Sequence, residues 1–534
     1  MVFLYHRLYR PHFTDFEAIP KAFRQIFYKI NKYLSPLKKS INKSKEPTYP
    51  KMLTNFPGPK MKNLLNDIEL LSPEATNIKT FINHNKSQGN YLVDSDNNTF
   101  LDLSNLQNKN ILGYNNKLFF QKFENLKNFY QINSINKTGN FFEYLTEENI
   151  KLIEDIMEQI LPNAMDKIFF NENPEELIYL ISMLRRGNFS SKNLINEKLD
   201  LEYLEENKNE GNNFNCNFNF PQILNEINLT EKFKILKILP EKFIENKKNE
   251  NLDYASYTNM NFVENKIFEF ANFPILKYPL KENMLENYHN ENKSLEEIEK
   301  ILKKKFDVSA ILIEAVGGGE TWATPTYFYK LRNLAILYNV DFIVDERKSG
   351  LSVGRIWQHE LWNLPVQPDF VIFGNKLMNK GFLCRKDAID ENIMNTICGF
   401  SNVNINNLLS LKSVLDIIKE EKYFEKGEKA GEYFKRNLKD LNKDINLFSD
   451  IRGKAQLIAF DIKSDTNENN ENFQKEKDKI IFKRFLSFAR NSGIFIDGNE
   501  FSNTVYVRPN VIIENKHYDH FLNVLEDFKK NKKK

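Results

Sequence analysis

The sequence predicts an α/β fold with a mostly parallel central sheet, joined to a smaller α+β domain. Three short apolar segments, residues 310–313, 341–344 and 370–373, support this prediction. Residues 327–338, between the first two, have the apolar spacing of a helix. Short, almost wholly apolar strands that alternate with helices are typical of a parallel sheet covered by helices on both faces.

The length of the chain predicts more than one hydrophobic core, because 534 residues exceed the usual size of a single domain. We expect an N-terminal basic extension at 1–50 and a large domain at 126–390. The smaller domain is predicted to combine residues 51–125 with residues 391–534. An insertion at about 195–222 would interrupt the large domain.

The N-terminal extension is basic and poor in acidic residues. Its lysines and arginines alternate with aromatic and aliphatic residues, and its chief acids are Asp15 and Glu17. This composition is typical of a mitochondrial presequence, so we expect the protein in mitochondria. A basic surface arm of the mature protein would have the same composition and stays open as the alternative.

A hairpin is predicted near the start of the smaller domain. Residues 89–94 alternate apolar with polar side chains, residues 96–98 have turn chemistry, and residues 99–103 return as a second strand. Farther along, residues 195–222 and 464–478 are rich in asparagine and charge and offer little apolar surface for burial. We predict that these two segments are mobile surface loops.

An ionisable residue follows each of the three apolar segments. Glu314 ends the first, Asp345 ends the second, and Lys376 lies just beyond the third. Ligands of open α/β sheets bind at the carboxyl ends of the strands, so we expect these residues at one edge. A lysine that binds the aldehyde and a carboxylate that pairs with the pyridinium are what pyridoxal phosphate (PLP) requires. On spacing alone, a surface lysine and a loop N-cap remain alternatives.

Composition argues against several other classes of protein. The net charge of +3 is near zero for this length, which disfavours nucleic-acid binding through bulk charge. Cys216, Cys384 and Cys398 have no metal-ligand spacing, so neither a disulfide framework nor a metal site is expected. No stretch approaches the roughly 18 continuous apolar residues of a transmembrane helix.

A series of short motifs extends from about residue 56 to the C-terminus. The motifs lie at residues 89–94, 101–103, 113–114, 276–280, 343–346, 354–357, 373–378, 395–396, 451–453 and 507–509. In order and separation, this series resembles the class-III aminotransferases, and among them the 4-aminobutyrate (GABA) aminotransferases most. The resemblance implies the fold of fold-type-I PLP-dependent transferases, PLP as cofactor, and a homodimer with its site between subunits.

The resemblance also implies roles for individual residues. Lys376 is the counterpart of the Schiff-base lysine, and Asp345 of the pyridinium partner. Thr396 matches the residue that reaches the cofactor phosphate across the dimer interface. Glu314 matches an acidic residue at the pocket, and Arg508 the arginine near the substrate carboxylate, a task that suits a planar guanidinium. An exposed strand end remains the alternative for Arg508.

The sequence departs from the family where the cofactor phosphate should bind. The family has a Gly–Ser/Thr loop there, whereas residues 169–176 lack glycine and include Glu172, Glu175 and Glu176. Carboxylates at a helix N-terminus would occupy the field that favours the phosphate. The same residues also fit an ordinary first helical turn that begins at Pro174.

Further departures lie at the two faces of the cofactor ring. Residues 239–243 stand where the family has Phe-His-Gly-Arg. Arg347 and Lys348 replace a small apolar residue and a glutamine after the Asp-Glu pair. The family's Gly-Gly is Lys380-Gly381, and the paired cysteines of animal relatives are absent, so no iron–sulfur cluster is expected.

Two functions are therefore open. Retention of Asp345 and Lys376 favours a working aminotransferase that moves an amino group from an ω-amino acid to a 2-oxo acid. The altered surroundings favour an inactive structural subunit of a mitochondrial assembly, in which another protein replaces the second copy of the chain.

Overall fold

The structure is a computed structural model that describes most of the chain. It describes residues 46–69, 78–104, 111–130, 146–186, 232–241, 267–305, 307–317, 321–389, 393, 404–463, 471–500 and 502–532. Residues 1–45, the segment 195–222 and Thr396 lie outside the described residues, so what the sequence predicts for them stays a prediction.

The described residues form strands and helices that are numbered here in chain order. The strands are β1 Tyr91–Val93, β2 Thr99–Asp102, β3 Lys167–Phe170, β4 Lys234–Leu239, β5 Phe268–Asn272, β6 Val308–Glu314, β7 Asp341–Asp345, β8 Phe370–Phe373, β9 Gly381–Cys384, β10 Phe448–Lys454, β11 Leu457–Ile462, β12 Ile494–Phe495, β13 Asp497–Asn499 and β14 Thr504–Val507. The helices are α1 Pro59–Glu69, α2 Lys117–Phe129, α3 Glu147–Ile160, α4 Pro174–Arg186, α5 Met284–Lys304, α6 Pro325–Leu337, α7 Ile405–Glu420, α8 Tyr423–Ile445, α9 Glu471–Asn491 and α10 Asn515–Lys532.

A seven-stranded sheet in the order β3-β9-β8-β7-β6-β4-β5 is the centre of the fold. From β8 to β5, neighbouring strands run parallel. Strand β9 is antiparallel to both of its neighbours, β3 and β8. The predicted mostly parallel sheet is thus confirmed, and the three apolar segments lie side by side in it as β6, β7 and β8.

Helices cover both faces of this sheet. Ile313 and Val344 face a core shared with α5 and α6, whereas Leu312 and Ile343 face the layer formed by α4. All four side chains are buried. Burial on both faces is why the strands are apolar throughout, and each fully buried aliphatic side chain adds roughly 1.5–3 kcal/mol of hydrophobic stabilisation.

Helix α4 begins at the end of the sheet where β3 terminates. Its first residue is Pro174, followed by Glu175 and Glu176, and Arg185 and Arg186 lie in its last turn. A proline at the first position, acids at the start and bases at the end all suit the helix dipole. The predicted first turn is therefore confirmed, and it places two carboxylates at this helix terminus.

Of the two smaller sheets, the three-stranded one pairs strands from the two ends of the chain. Strands β1 and β2 form the predicted antiparallel hairpin, and β12 pairs in parallel with β2. A four-stranded sheet has the order β10-β11-β14-β13. The pairing of β2 with β12 is what a smaller domain built from residues 51–125 and 391–534 requires, and that division of the chain stays a prediction.

The prediction of a loop over residues 464–478 is wrong in its second half. Helix α9 begins at Glu471, although residues 464–470 lie outside the described part. Phe482 and Phe485 of this helix are buried in the core beside β11 and α10. Packing of these later residues stabilises the polar first turns, which composition alone could not reveal. Among the described residues, every helix is too short or too polar to cross a bilayer.

Candidate functional site

The carboxyl ends of β6, β7 and β8 bring the predicted site residues to one edge of the sheet. Glu314 and Asp345 are directly opposite each other in the parallel register of β6 and β7. Lys376 lies in the 3₁₀ turn Asn375–Leu377, just after β8. The predicted placement of these three residues is therefore confirmed, whereas the roles assigned to them are a separate question.

Lys376 is buried, with only 3% of its surface exposed. Its Nζ donates a hydrogen bond to Ser352 Oγ at 2.6 Å and another to the carbonyl oxygen of Lys348. Burial, helped by the positive charge of Arg508 and opposed by Glu346, lowers the pKa of this amine to about 7. A large share of the amine is therefore uncharged near neutral pH, which is the form that reacts as a nucleophile.

Asp345 is also buried, and its carboxylate binds the side chain of Arg347. Arg347 Nε lies 3.0 and 3.1 Å from the two carboxylate oxygens, and Nη2 lies 2.6 Å from Oδ2. The backbone N–H of Arg347 donates to Oδ1 at 3.0 Å. Burial alone would raise the pKa of Asp345, but the guanidinium holds it below its usual value. The carboxylate is thus charged and already well supplied with donors.

The same arginine reaches across to helix α4. Arg347 Nη1 donates to Glu175 Oε1 at 2.9 Å, in the first turn of that helix. Burial would lower the pKa of the guanidinium, but Asp345 and Glu175 raise it well above its ordinary value. Arg347 therefore joins the end of β7 to the N-terminus of α4 by two ion pairs, which we call the arginine bridge.

A second ion pair lies beside the arginine bridge. Lys348 Nζ donates to the two carboxylate oxygens of Glu314 at 3.1 and 2.9 Å. Both cations that follow the Asp-Glu pair are therefore bound to carboxylates of the chain itself. Both cations follow β7, and the acids that they bind, Asp345 and Glu314, end the neighbouring strands β7 and β6.

A buried cluster fixes the loop that carries these cations. Glu346 Oε1 accepts from the backbone N–H of His359 at 2.8 Å and lies 3.0 Å from His359 Nδ1. Its other oxygen accepts from Ser349 Oγ. The side chains of Glu346 and His359 are both fully buried. This cluster holds the start of the loop in place, so that Arg347 and Lys348 project from a rigid base.

Arg508 follows β14 and reaches the site from the other end of the chain. Its backbone N–H donates to the Leu103 carbonyl at 2.7 Å, and its guanidinium lies 3.9 Å from the ring centroid of Tyr506. Its charge contributes to the lowered pKa of Lys376. The structure thus brings Arg508 to the lysine side of the edge, while its role toward a substrate carboxylate stays a prediction.

Sequence reasoning missed two contacts that define the site. Ser352, the hydroxyl partner of Lys376, lies in a loop whose composition gives no signal. The pairing of Arg347 with Glu175 spans 172 residues, yet a signal for it existed. The sequence has added acids where the resemblance expects the phosphate and added cations where it expects the ring, and these two departures are opposite in charge.

Known proteins resemble this chain over most of its length. The model of the class-III aminotransferase family matches residues 256–528. The mitochondrial 4-aminobutyrate aminotransferase of Sus scrofa is 27% identical over 504 residues, covering 90% of each chain. The mitochondrial 4-aminobutyrate aminotransferase of Homo sapiens shows the same identity and coverage.

Solved structures share the architecture. The lysine aminotransferase from M. tuberculosis superposes with a TM-score of 0.64 at 14% identity, covering 88% of this chain and 98% of that one. At this identity the likeness concerns the fold alone. The predicted fold-type-I α/β architecture is thereby confirmed.

Proposed function

Because the chain belongs to the class-III aminotransferase family, whose members use PLP, we propose that it is a member that has lost productive PLP binding. In this proposal it is related to the GABA aminotransferases by descent and fold, and serves as a non-catalytic structural subunit. The arginine bridge carries the proposal. Fold alone does not decide between catalysis and its loss, so the argument rests on the site.

The pyridinium end of the cofactor has a poor fit in this chain. A pyridinium nitrogen needs a carboxylate that can accept its proton as a hydrogen-bond partner. Asp345 already accepts from the Nε, Nη2 and backbone N–H of Arg347. Binding of PLP would require a guanidinium to leave two carboxylates in a partly buried site, and an uncompensated buried charge is costly.

The phosphate end fits no better. A phosphate binds at a helix N-terminus because free N–H groups and the helix dipole favour an anion. In α4 the first turn already carries Glu175 and Glu176. Burial, and secondarily the charge of the neighbouring Glu175, raises the pKa of Glu176. A phosphate would add further repulsion.

The test is a titration of the purified full-length protein with PLP, followed by the visible absorbance of the lysine-bound cofactor. The matched variant is Lys376→Ala. We expect weak absorbance that is the same in both proteins, because exposed lysines react nonspecifically. Submicromolar binding that disappears in Lys376→Ala would overturn the proposal.

The structural role is proposed to lie in mitochondria. The mitochondrial names of the relatives support this location, as does the basic, acid-poor N-terminal segment. The partner is either a second copy of the chain, as the family implies, or a larger assembly of other proteins. Native mass measurement on the protein extracted from mitochondria decides between these partners. Recovery in the cytosol, or as a monomer, would contradict the proposed role.

A second candidate function is PLP-dependent amino transfer, possible only if Arg347 moves away when the cofactor binds. Lys376 favours it, since a buried lysine with a pKa of about 7 and a hydroxyl partner is suited to react with an aldehyde. Transfer from 4-aminobutyrate to a 2-oxo acid in the presence of PLP, lost in Lys376→Ala, would establish this candidate.

A further inference from the structure

Two of the three charged groups of the arginine bridge, Arg347 and Glu175, lie at positions that the resemblance assigns to the two charged ends of the family's cofactor. PLP has a positive pyridinium at one end of its ring and a negative phosphate at the other. In this chain a positive guanidinium binds Asp345, the counterpart of the pyridinium partner. A negative carboxylate, Glu175, lies in the first turn of α4, which corresponds to the phosphate-binding turn.

We propose that Arg347 and Glu175 are a built-in replacement for PLP, and that they, more than any other departure, exclude the cofactor. The inference rests on the proposed loss of PLP binding and specifies the residues responsible. In this proposal the guanidinium of Arg347 takes the place of the positive pyridinium, and the carboxylate of Glu175 takes the place of the negative phosphate. The two charges are joined by an ion pair at 2.9 Å, whereas the two charged ends of PLP are joined by covalent bonds.

Close packing supports this reading of Arg347. Gly374 lies next to the arginine side chain, and a Cβ added at that position would come within 3.1 Å of Arg347 Cγ. The stem of the arginine therefore lies along the end of β8, between the lysine turn and α4. Contacts on the stem and at three of its polar atoms leave the side chain in one defined position.

The neighbouring pair, Lys348 with Glu314, provides an internal contrast. It is a cation bound to a carboxylate at the same edge, at 2.9 Å. However, its described hydrogen bonds tie it to Glu314 at the end of β6, and it acts on Asp345 through its charge, which helps to lower the pKa of that carboxyl. If PLP were excluded by positive charge in general, removing Lys348 would improve PLP binding as much as removing Arg347. If the replacement is specific, only removal of the arginine bridge should improve PLP binding.

The experiment removes both halves of the replacement together. The variant Arg347→Ala with Glu175→Ala loses one positive and one negative charge, so the net charge of the protein is unchanged. Asp345 is then available to a pyridinium, and the first turn of α4 keeps only one of its two carboxylates, Glu176. We expect PLP to bind this variant at least about tenfold more tightly than the parent, a change of about 1.4 kcal/mol.

The melting temperature and two further variants accompany the titration. PLP should raise the melting temperature of the double variant but not that of the parent, because a ligand that binds the folded state stabilises it. Adding Lys376→Ala to the double variant should abolish the gain. The control, Lys348→Ala with Glu314→Ala, also preserves net charge and should bind PLP no better than the parent.

The outcomes separate this inference from the proposed function. Tight, Lys376-dependent binding by the parent would refute both. Weak binding by the parent together with weak binding by a folded double variant would refute only the replacement. Equal gains in the double variant and in the control would refute its specificity.

A second measurement covers the case in which the double alanine variant does not fold. The variants Arg347→Gln, Glu175→Gln and their combination retain most of the side-chain volume. Melting temperatures of the three should be non-additive, because each single change leaves a charge without its partner. Additive shifts would show that the two residues do not act as one unit and would overturn the proposal.

Discussion

The carboxyl edge of the sheet holds one cation after β7 and another after β8, and their electrostatic surroundings are opposite. After β7, Arg347 binds the carboxylates of Asp345 and Glu175. After β8, Lys376 donates to neutral oxygens of Ser352 and Lys348. Accordingly the pKa of the guanidinium is raised, whereas that of the amine is lowered to about 7.

Under the proposed function, this difference separates the part of the family's site that the chain keeps from the part that it has replaced. A buried lysine whose amine donates to neutral oxygens has a lowered pKa that suits an amine nucleophile, even though Glu346 partly opposes that lowering. On the other side, Arg347 forms salt bridges that connect the end of β7 to the N-terminus of α4. Retention of a reactive lysine therefore does not show that its cofactor still has a place to bind.

Removal of Arg347 should give the largest effect. Arg347→Ala leaves Asp345 and Glu175 as carboxylates without their cation. We expect a loss of roughly 3 kcal/mol in the free energy of unfolding, near the low end for a broken buried pair because 29% of the arginine side chain is exposed. Denaturant unfolding of the full-length protein measures this loss.

An exposed arginine eight positions later is the matched control. Arg355→Ala should change the free energy of unfolding by no more than about 0.5 kcal/mol, since Arg355 is exposed. Equal effects of the two substitutions would mean that the arginine bridge contributes no stability, and the contrast between the two sides would fail.

Lys376 should make the free energy of unfolding depend on pH. The pKa of Lys376 falls from its ordinary value of 10.5 to about 7 on folding. Between these values the unfolded chain binds more protons than the folded one, so stability rises with pH across this window. Relative to Lys376→Met, the parent should therefore gain about 2–3 kcal/mol between about pH 7 and about pH 9.

A partly exposed lysine in the same loop serves as the control for this titration. The side chain of Lys380 is 38% exposed, and Lys380→Met controls for the general effect of replacing a lysine of this loop by methionine. Unfolding free energies measured in urea over the pH range test both variants. A parallel dependence in Lys376→Met would show that Lys376 is not the group that titrates.

The smallest expected effect concerns the contact between Gly374, which follows β8, and Arg347, which follows β7. In Gly374→Ala, the new methyl group would lie 3.1 Å from Arg347 Cγ and 3.4 Å from its Cβ. The arginine must then shift by a few tenths of an ångström, which we expect to cost about 1 kcal/mol. In the Arg347→Ala background this cost should vanish, and if it persists, the strain has another source.

The sheet was predictable because its signals are local. Strands β6, β7 and β8 contain short apolar runs, an ionisable residue lies at the end of each run or within three residues after it, and both faces of the sheet are buried as such runs require. The start of α9 was not predictable from composition. Its stability comes from Phe482 and Phe485, which are buried far along the helix from its polar first turns.

The site was predictable in position but not in connectivity. The spacing of Glu314, Asp345 and Lys376 predicted a shared edge, and the register of the strands confirms it. The pairing of Arg347 with Glu175 depends on tertiary structure, because β7 and α4 are brought together only by the sheet order. Sequence showed two unrelated departures from a family, whereas the structure makes them one ion pair.

Reduction with borohydride tests the central claim most directly. The full-length protein is incubated with excess PLP, reduced to fix any lysine-bound cofactor, digested, and the peptides are quantified by mass spectrometry. We predict that the peptide containing Lys376 stays largely unmodified, with the label spread at low occupancy over exposed lysines. Stoichiometric labelling of Lys376 would contradict the claim that ion pairs of the chain have taken the place of the cofactor.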